Sequence, residues 1–357
     1  MDRFEGGPVD PLERVPLGGT GVTVTRLGMG LAPIGGLFTP VGDAGAIAAV
    51  DAAWRHGVRF FDTAPLYGAG LSERRTGAAL RDRDDFVLAT KVGRRLVPAR
   101  NATEVGRRPV PARNATKVGR RPVPARDGTK DLWSEPSGAA PVWDFSAAGV
   151  RTQHRESLER LGLDSVDVLH LHDPDDHFAQ ALHDALPALV ELRREGAVRA
   201  VSAGMNQSAM LTAFARTGHF DCFLLAGRYT LLDQSGLADL LPECARRGIS
   251  VICGGVYNSG LLADPDRNRT FDYRTATPEL VAKARAMGDV CARHGVPLRA
   301  AALQFPLAHP AVATVLIGMR SAAEAADAAA MAAVELPGAL WHDLIRAGLL
   351  DPEVPHP

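Results

Sequence analysis

Short runs of apolar, often β-branched residues alternate along the chain with Ala-rich stretches whose apolar positions recur every three or four residues. The runs read as buried strands and the stretches as amphipathic helices. Strands are predicted at 27–30, 58–62, 86–91, 166–172, 200–203, 222–225, 249–254 and 312–317, after an N-terminal hairpin at 15–17 and 22–25. Helices are predicted over 44–56, 72–81, 147–161, 178–195, 208–217, 237–247, 278–294 and 322–334. Three of them end on a basic residue followed by glycine: His56-Gly57, Arg247-Gly248 and His294-Gly295. The glycine supplies a left-handed cap and the cation suits the negative end of the helix. Eight strand–helix alternations imply an α/β fold with a parallel sheet, and eight units close a barrel. An open doubly wound sheet would bring a GxGxxG turn. Gly28-Met29-Gly30 runs on to Pro33 and Gly68-Ala69-Gly70 to Glu73, so neither completes one. The expected architecture is a (β/α)8 TIM barrel with an N-terminal hairpin.

One stretch breaks the alternation. VGRRLVPARNATE from Val92, VGRRPVPARNATK from Val105 and VGRRPVPARDGTK from Val118 are three near-copies of a 13-residue unit. Residues 92–130 hold nine Arg and two Lys against Glu104 and Asp127, a net of +9. The whole chain has 357 residues and a formal charge of −1, so the remainder carries −10. The unit has too few apolar positions to offset its ordering entropy, and reads as a mobile, triplicated basic loop after the third strand. With no aromatic residue interleaved for base stacking, it is not read as a nucleic-acid site. The length would accommodate two or three average domains, but the expectation is a single barrel domain over 1–357 with a duplicated insertion.

Composition removes several classes of function. Hydrophobic residues make up 46% and charged residues 23% of the chain, ordinary for a globular protein. No apolar run approaches the roughly 20 residues that cross a bilayer. Residues 1–7 lack the apolar region of a signal peptide, which points to a cytoplasmic protein. Cys222, Cys244, Cys253 and Cys291 have no CxxC spacing, so they read as buried reduced thiols, with no metal site and no disulfide framework.

Chemistry in such a barrel sits at the C-terminal ends of the strands. Asp62 ends the second strand, Lys91 the third, and His170 and His172 the fourth, with Tyr67 five residues after Asp62. Asp62 and Lys91 on neighbouring strands can pair, which a buried charge requires. A cation beside a phenol lowers its pKa from about 10 toward neutrality, making Tyr67 a general acid or base for a carbonyl/alcohol pair.

Taken together these residues resemble the aldo-keto reductase superfamily. The matching text is FFDTAPLYGAGLSERRTGAAL (60–80), VLATKVG (87–93), SLERLGLDSVDVLHLHDPD (157–175), VRAVSAGMNQ (198–207) and AALQFPLAHPAVATVLIGMRSAAEA (301–325). The resemblance implies a catalytic tetrad of Asp62, Tyr67, Lys91 and His172. It places the histidine five residues after Asp167, hence His172, with His170 one layer deeper on the same face. Lys117, in the repeated AlaThrLysValGly text, lacks the preceding apolar run and is read as part of the loop.

The resemblance also implies a nicotinamide cofactor, NAD or NADP, held without a dinucleotide-binding sheet. Asn206 matches a carboxamide-holding position, while the usual glutamine and stacking tyrosine fall at Ala226 and Gly254. Ser259, Gly260 and Leu261 match the pyrophosphate segment, and Gly318 and Arg320 the adenosine-phosphate segment. Glu324 stands where some NADP-specific relatives have arginine. Its carboxylate favours NAD, and Arg320 pulls the other way.

GLAPIGGL (30–37), DTAPLYGAGLSERR (62–75), GRYTLLDQSGL (227–237) and HDPDD (172–176) resemble the bacterial L-fucose dehydrogenase, or D-threo-aldose 1-dehydrogenase, branch. That implies oxidation of an aldose C1 hydroxyl to the lactone. The alternatives are pyridoxal 4-dehydrogenation, general aldehyde reduction, and a non-catalytic cofactor-binding regulatory subunit. The implied partner is a small sugar or aldehyde, with no nucleic acid and no membrane. Trp133, Trp143 and Tyr257 are candidates for stacking on a sugar ring.

Overall fold

The β-branched runs and the glycine stops between them assemble eight parallel strands into a closed barrel. The computed structural model describes residues 10, 12–99, 132–134 and 138–357. In chain order, β1 (Arg14–Pro16) and β2 (Thr23–Thr25) form the antiparallel hairpin, followed by β3 (Leu27–Gly30), β4 (Phe60–Asp62) and β5 (Val87–Val92). Next come β6 (Arg94–Pro98) and β7 (Ala139–Trp143), then β8 (Val168–His172), β9 (Ala200–Met205), β10 (Cys222–Ala226) and β11 (Ser250–Gly254). A two-residue pair, β12 (Thr270–Phe271) and β13 (Arg274–Thr275), precedes β14 (Val312–Gly318). The barrel runs β3-β4-β5-β8-β9-β10-β11-β14 and closes β14 back onto β3. These eight strands are the eight that the apolar runs predict.

Alternate residues fill the barrel interior, among them Phe60, Ala89, Val168, Ala200, Leu224 and Ile252. Leu17, Val22 and Val24 of the hairpin join this cluster, so the hairpin plugs the floor. Gly28 makes room in it, since a Cβ there would lie 2.8 Å from both Phe60 and Leu316. A second, larger apolar layer joins the outward strand faces to the helices. With the floor filled, the open C-terminal rim is where a ligand can enter.

The structure departs from the predicted elements in three places. The helix expected over 178–195 is segmented: a π-helical stretch, Ala181–Ala185, precedes the α-helix Leu186–Arg194. Pro187 explains the break, because its ring removes an N–H and crowds the carbonyl one turn back. Helices Leu298–Gln304 and Gly338–Arg346 are additional. The third departure corrects the insert's boundary. Val92 completes β5, and Arg94–Pro98 pairs antiparallel with Ala139–Trp143, so the first half of the first repeat copy is strand rather than loop. Residues 100–130, including Lys117, lie outside the described residues.

Candidate active site

Strand register sets the first part of the site. Asp62 lies opposite Ala89, Lys91 opposite His170, His170 opposite Ser202, and His172 opposite Gly204. Because side chains alternate across a strand, these polar residues point into the barrel above its apolar filling. Lys91 Nζ donates to Asp62 Oδ2 at 2.5 Å and to the Thr63 carbonyl at 2.9 Å. Both side chains are buried, at 2% and 3% exposure. Burial opposes ionisation of Asp62, but the charge of Lys91 and the contact with His170 outweigh it and hold the carboxyl below its ordinary value. Burial also pulls Lys91 below the ordinary lysine value, against the attraction of Asp62.

His170 is fully buried. Its Nε2 stands 3.3 Å from Asp62 Oδ1 and its Nδ1 is 2.7 Å from Ser202 Oγ. It backs the carboxylate, while His172 lies closer to the opening. Burial holds His170 below the usual histidine value, so it is neutral at neutral pH.

Tyr67 is placed by a loop rather than a strand. Gly68 has a φ of +61°, and a Cβ on it would lie 2.2 Å from the Gly35 carbonyl oxygen. A Cβ on Gly35 would in turn lie 2.8 Å from the Tyr67 carbonyl carbon, so the loops after β3 and β4 touch backbone to backbone. Ser72 ties them further, with its Oγ 2.8 Å from Thr63 Oγ1 and 2.8 Å from the Leu31 carbonyl. The Tyr67 ring then stands 5.0 Å from Lys91 Nζ and edge-on to His172 at 6.0 Å between centroids.

The expected acidification of Tyr67 is not found. Desolvation, then the charge of Asp62, with Tyr273 and Asp173 adding to it, pushes the phenol well above 10, and Arg94 opposes only in part. Desolvation is the largest cause, and the Asp62 carboxylate that holds Lys91 adds to it.

A cavity of about 570 Å³ opens above these residues. Tyr67, Lys91, His172, Trp133, Arg94 and Asp173 line one end. Asn206, Ala226, Gly254, Tyr257, Ser259, Gly260, Gly318, Arg320 and Glu324 also line it. Leu261 is fully buried in the outer hydrophobic core and its side chain does not line the cavity. Trp133 packs against Tyr67 with centroids 5.7 Å apart, held by backbone hydrogen bonds from Phe38 N–H to the Leu132 carbonyl and from Ser134 N–H to the Gly36 carbonyl. Trp143 is not in the cavity. It stacks on Phe145 at 5.9 Å and is 48% exposed.

The cavity carries groups suited to an extended polar ligand. Asn258 is 3% exposed, yet among the described residues neither its Oδ1 nor its Nδ2 has a hydrogen-bond partner. Buried amides are ordinarily satisfied, so this one awaits a donor and an acceptor from outside the chain. Glu324 accepts from the Arg320 backbone N–H at 3.0 Å and meets the Arg320 guanidinium, while Arg320 donates to Thr39 Oγ1 at 3.0 Å. Among the described residues no cluster of His, Cys, Asp or Glu could hold a metal ion, and all four cysteines are free and buried. No helix among the described residues is long and apolar enough to cross a membrane.

Several cavity residues escaped the sequence reading. Arg94 was one arginine among nine in the repeats, and Asp173 one of several acids after the fourth strand. Asp173 has a left-handed backbone, at φ +43°, that sequence does not display.

Residues 26–344 match the model of the Aldo/keto reductase family. The chain is 40% identical over 335 residues to a D-threo-aldose 1-dehydrogenase of a Pseudomonas species, covering 92% of this chain and 96% of that protein. It is 36% identical over 350 residues to the pyridoxal 4-dehydrogenase of Microbacterium luteolum, covering 95% and 98%. Among solved structures, the glycerol dehydrogenase of Gluconobacter oxydans superposes with a TM-score of 0.71 at 20% identity, over 97% of each chain. The chain belongs to the Aldo/keto reductase family and is an oxidoreductase.

Proposed function

We propose that this NAD(P)-dependent oxidoreductase oxidises the C1 hydroxyl of a cyclic aldose to the lactone. The observation that carries the reading is the 40% identity, over nearly the full length of both chains, to a D-threo-aldose 1-dehydrogenase. The cavity supports it. At its reacting end Lys91 is paired with Asp62 and Arg94 with Asp173, so these cations are already neutralised, as suits an uncharged substrate.

In this reading Asn206, Asn258, Ser259, Gly260, Gly318 and Arg320 hold the nicotinamide coenzyme along the cavity. When bound, it supplies the hydride acceptor. Tyr67 removes the proton of the C1 hydroxyl as the carbon–hydrogen bond is broken, and returns a proton to the oxygen in the reverse direction. His172 orients that oxygen. Asp62, backed by His170, fixes Lys91 beneath the phenol. Trp133 covers Tyr67 and excludes water from the reacting end. Glu324 favours NAD over NADP, because a 2′-phosphate would meet its carboxylate while a 2′-hydroxyl can donate to it.

Pyridoxal oxidation is the second reading, favoured by the 36% identity to a pyridoxal 4-dehydrogenase. A coenzyme-reduction screen separates the two. L-fucose, D-arabinose, L-galactose and pyridoxal are each offered with NAD and with NADP. Turnover of at least one aldose with NAD is the expected result, and turnover of pyridoxal alone overturns the aldose reading.

A further inference from the structure

The reacting end of the cavity holds a second polar pair whose geometry the acid/base chemistry does not use. Arg94 donates to Asp173 Oδ2 at 2.6 Å, across 79 residues of sequence. Asp173 follows the last residue of β8 and adopts a φ of +43°, a conformation unfavourable for a non-glycine residue. Its backbone N–H donates to the Gly204 carbonyl at 3.0 Å, which fixes the carboxylate beside His172. Asp173 Oδ2 lies 3.9 Å from His172 Nε2. Oδ1 makes no hydrogen bond among the described residues. Arg94 lies over the Trp143 ring at 4.5 Å, and its buried Nε has no hydrogen-bond partner among the described residues. A rigid carboxylate and a rigid guanidinium therefore face the space next to the group that orients the reacting oxygen.

We propose that Asp173 and Arg94 read the hydroxyl on the carbon adjacent to the reacting carbon, making the enzyme selective for 2-hydroxy carbonyl compounds and the matching vicinal diols. The inference deepens the proposed function and rests on its placement of the reacting oxygen between Tyr67 and His172. An oxygen held there leaves its neighbour on the next carbon within reach of Asp173, one residue along the chain. A hydroxyl in that position can donate to the carboxylate and accept from the guanidinium, whereas an unsubstituted carbon removes both contacts and shields the Arg94–Asp173 pair from water without replacing them. Sites built to bind a hydroxyl reject the analogue that lacks it far more strongly than an apolar pocket rejects an added group.

The test uses the full chain and two small aldehydes reduced with NADH, lactaldehyde and propanal, which differ in the 2-hydroxyl. The quantity read is the ratio of their kcat/KM values. Wild type is expected to favour lactaldehyde by about tenfold or more, the scale of a hydrogen bond to a charged group. Asp173→Asn keeps the shape and suits the left-handed backbone, and is expected to bring the ratio close to one. Arg94→Met provides a second variant and is expected to lower the same ratio. A wild type without the preference, or variants that retain it in full, overturns the inference even if the enzyme oxidises aldoses. A lactaldehyde preference lost in the variants, without oxidation of any aldose, upholds the inference and removes the aldose reading.

Discussion

Lys91 Nζ and Asp62 Oδ2 are 2.5 Å apart with both side chains sealed from solvent, and His170 Nε2 approaches the other carboxylate oxygen at 3.3 Å. A buried ion pair of this kind contributes little net stability when intact but is costly to break, because the remaining charge has no partner. Lys91→Met is therefore expected to destabilise the protein by about 3–5 kcal/mol. The double variant Lys91→Met with Asp62→Asn should cost less than the two single changes added together. Urea unfolding of the four proteins measures both quantities. Strict additivity would show that the pair is not coupled.

The protonation state of Tyr67 fixes the shape of the pH profiles. Desolvation and the Asp62 charge hold the phenol well above 10, so the free enzyme carries it protonated at neutral pH. Oxidation needs the deprotonated form and reduction the protonated one. With kcat/KM reporting groups of the free enzyme, the oxidation rate is expected to rise by about tenfold per unit between pH 7 and 9 without a plateau. Reduction should stay flat over the same range. An oxidation plateau at or below pH 8 would show that the phenol is acidified in the free enzyme after all.

Cofactor preference provides a separate check. Glu324 is the third residue of the helix that Ser321 caps, and its carboxylate also holds the Arg320 backbone N–H. Glu324→Gln keeps the capping arrangement and removes the charge. The ratio of kcat/KM with NAD to that with NADP is expected to fall by about tenfold, the size of one hydrogen bond to a charged group. An unchanged ratio would remove Glu324 from cofactor selection.

Much of this was legible in the sequence, and the rest was hidden for identifiable reasons. Each barrel strand is a short apolar run bounded by turn residues, so the positions of Asp62, Lys91 and the His170/His172 pair near strand ends follow from the apolar pattern, while the choice of His172 over His170 comes from the family resemblance. The environment of Tyr67 does not follow from that pattern, because it depends on burial, on the Asp62 carboxylate and on Asp173 arriving from another loop. Arg94 was invisible for a related reason: it begins a repeated basic unit, and only the pairing of β6 with β7 turns it toward the cavity. Leu261 is a contrasting case. Its segment matches a cofactor-contacting pattern, but the leucine side chain is apolar and packs into the core, leaving Ser259 and Gly260 on the cavity side.

Proton transfer by Tyr67 is the step on which the proposed chemistry depends. The most direct measurement is coenzyme reduction by Tyr67→Phe, compared with wild type on whichever aldose the wild type oxidises best, with folding verified by thermal unfolding. Removing the phenolic oxygen should lower kcat/KM by about 10²- to 10⁴-fold, the range that one acid/base group contributes. A Tyr67→Phe protein that is folded and still produces reduced coenzyme at a rate near that of wild type would contradict it.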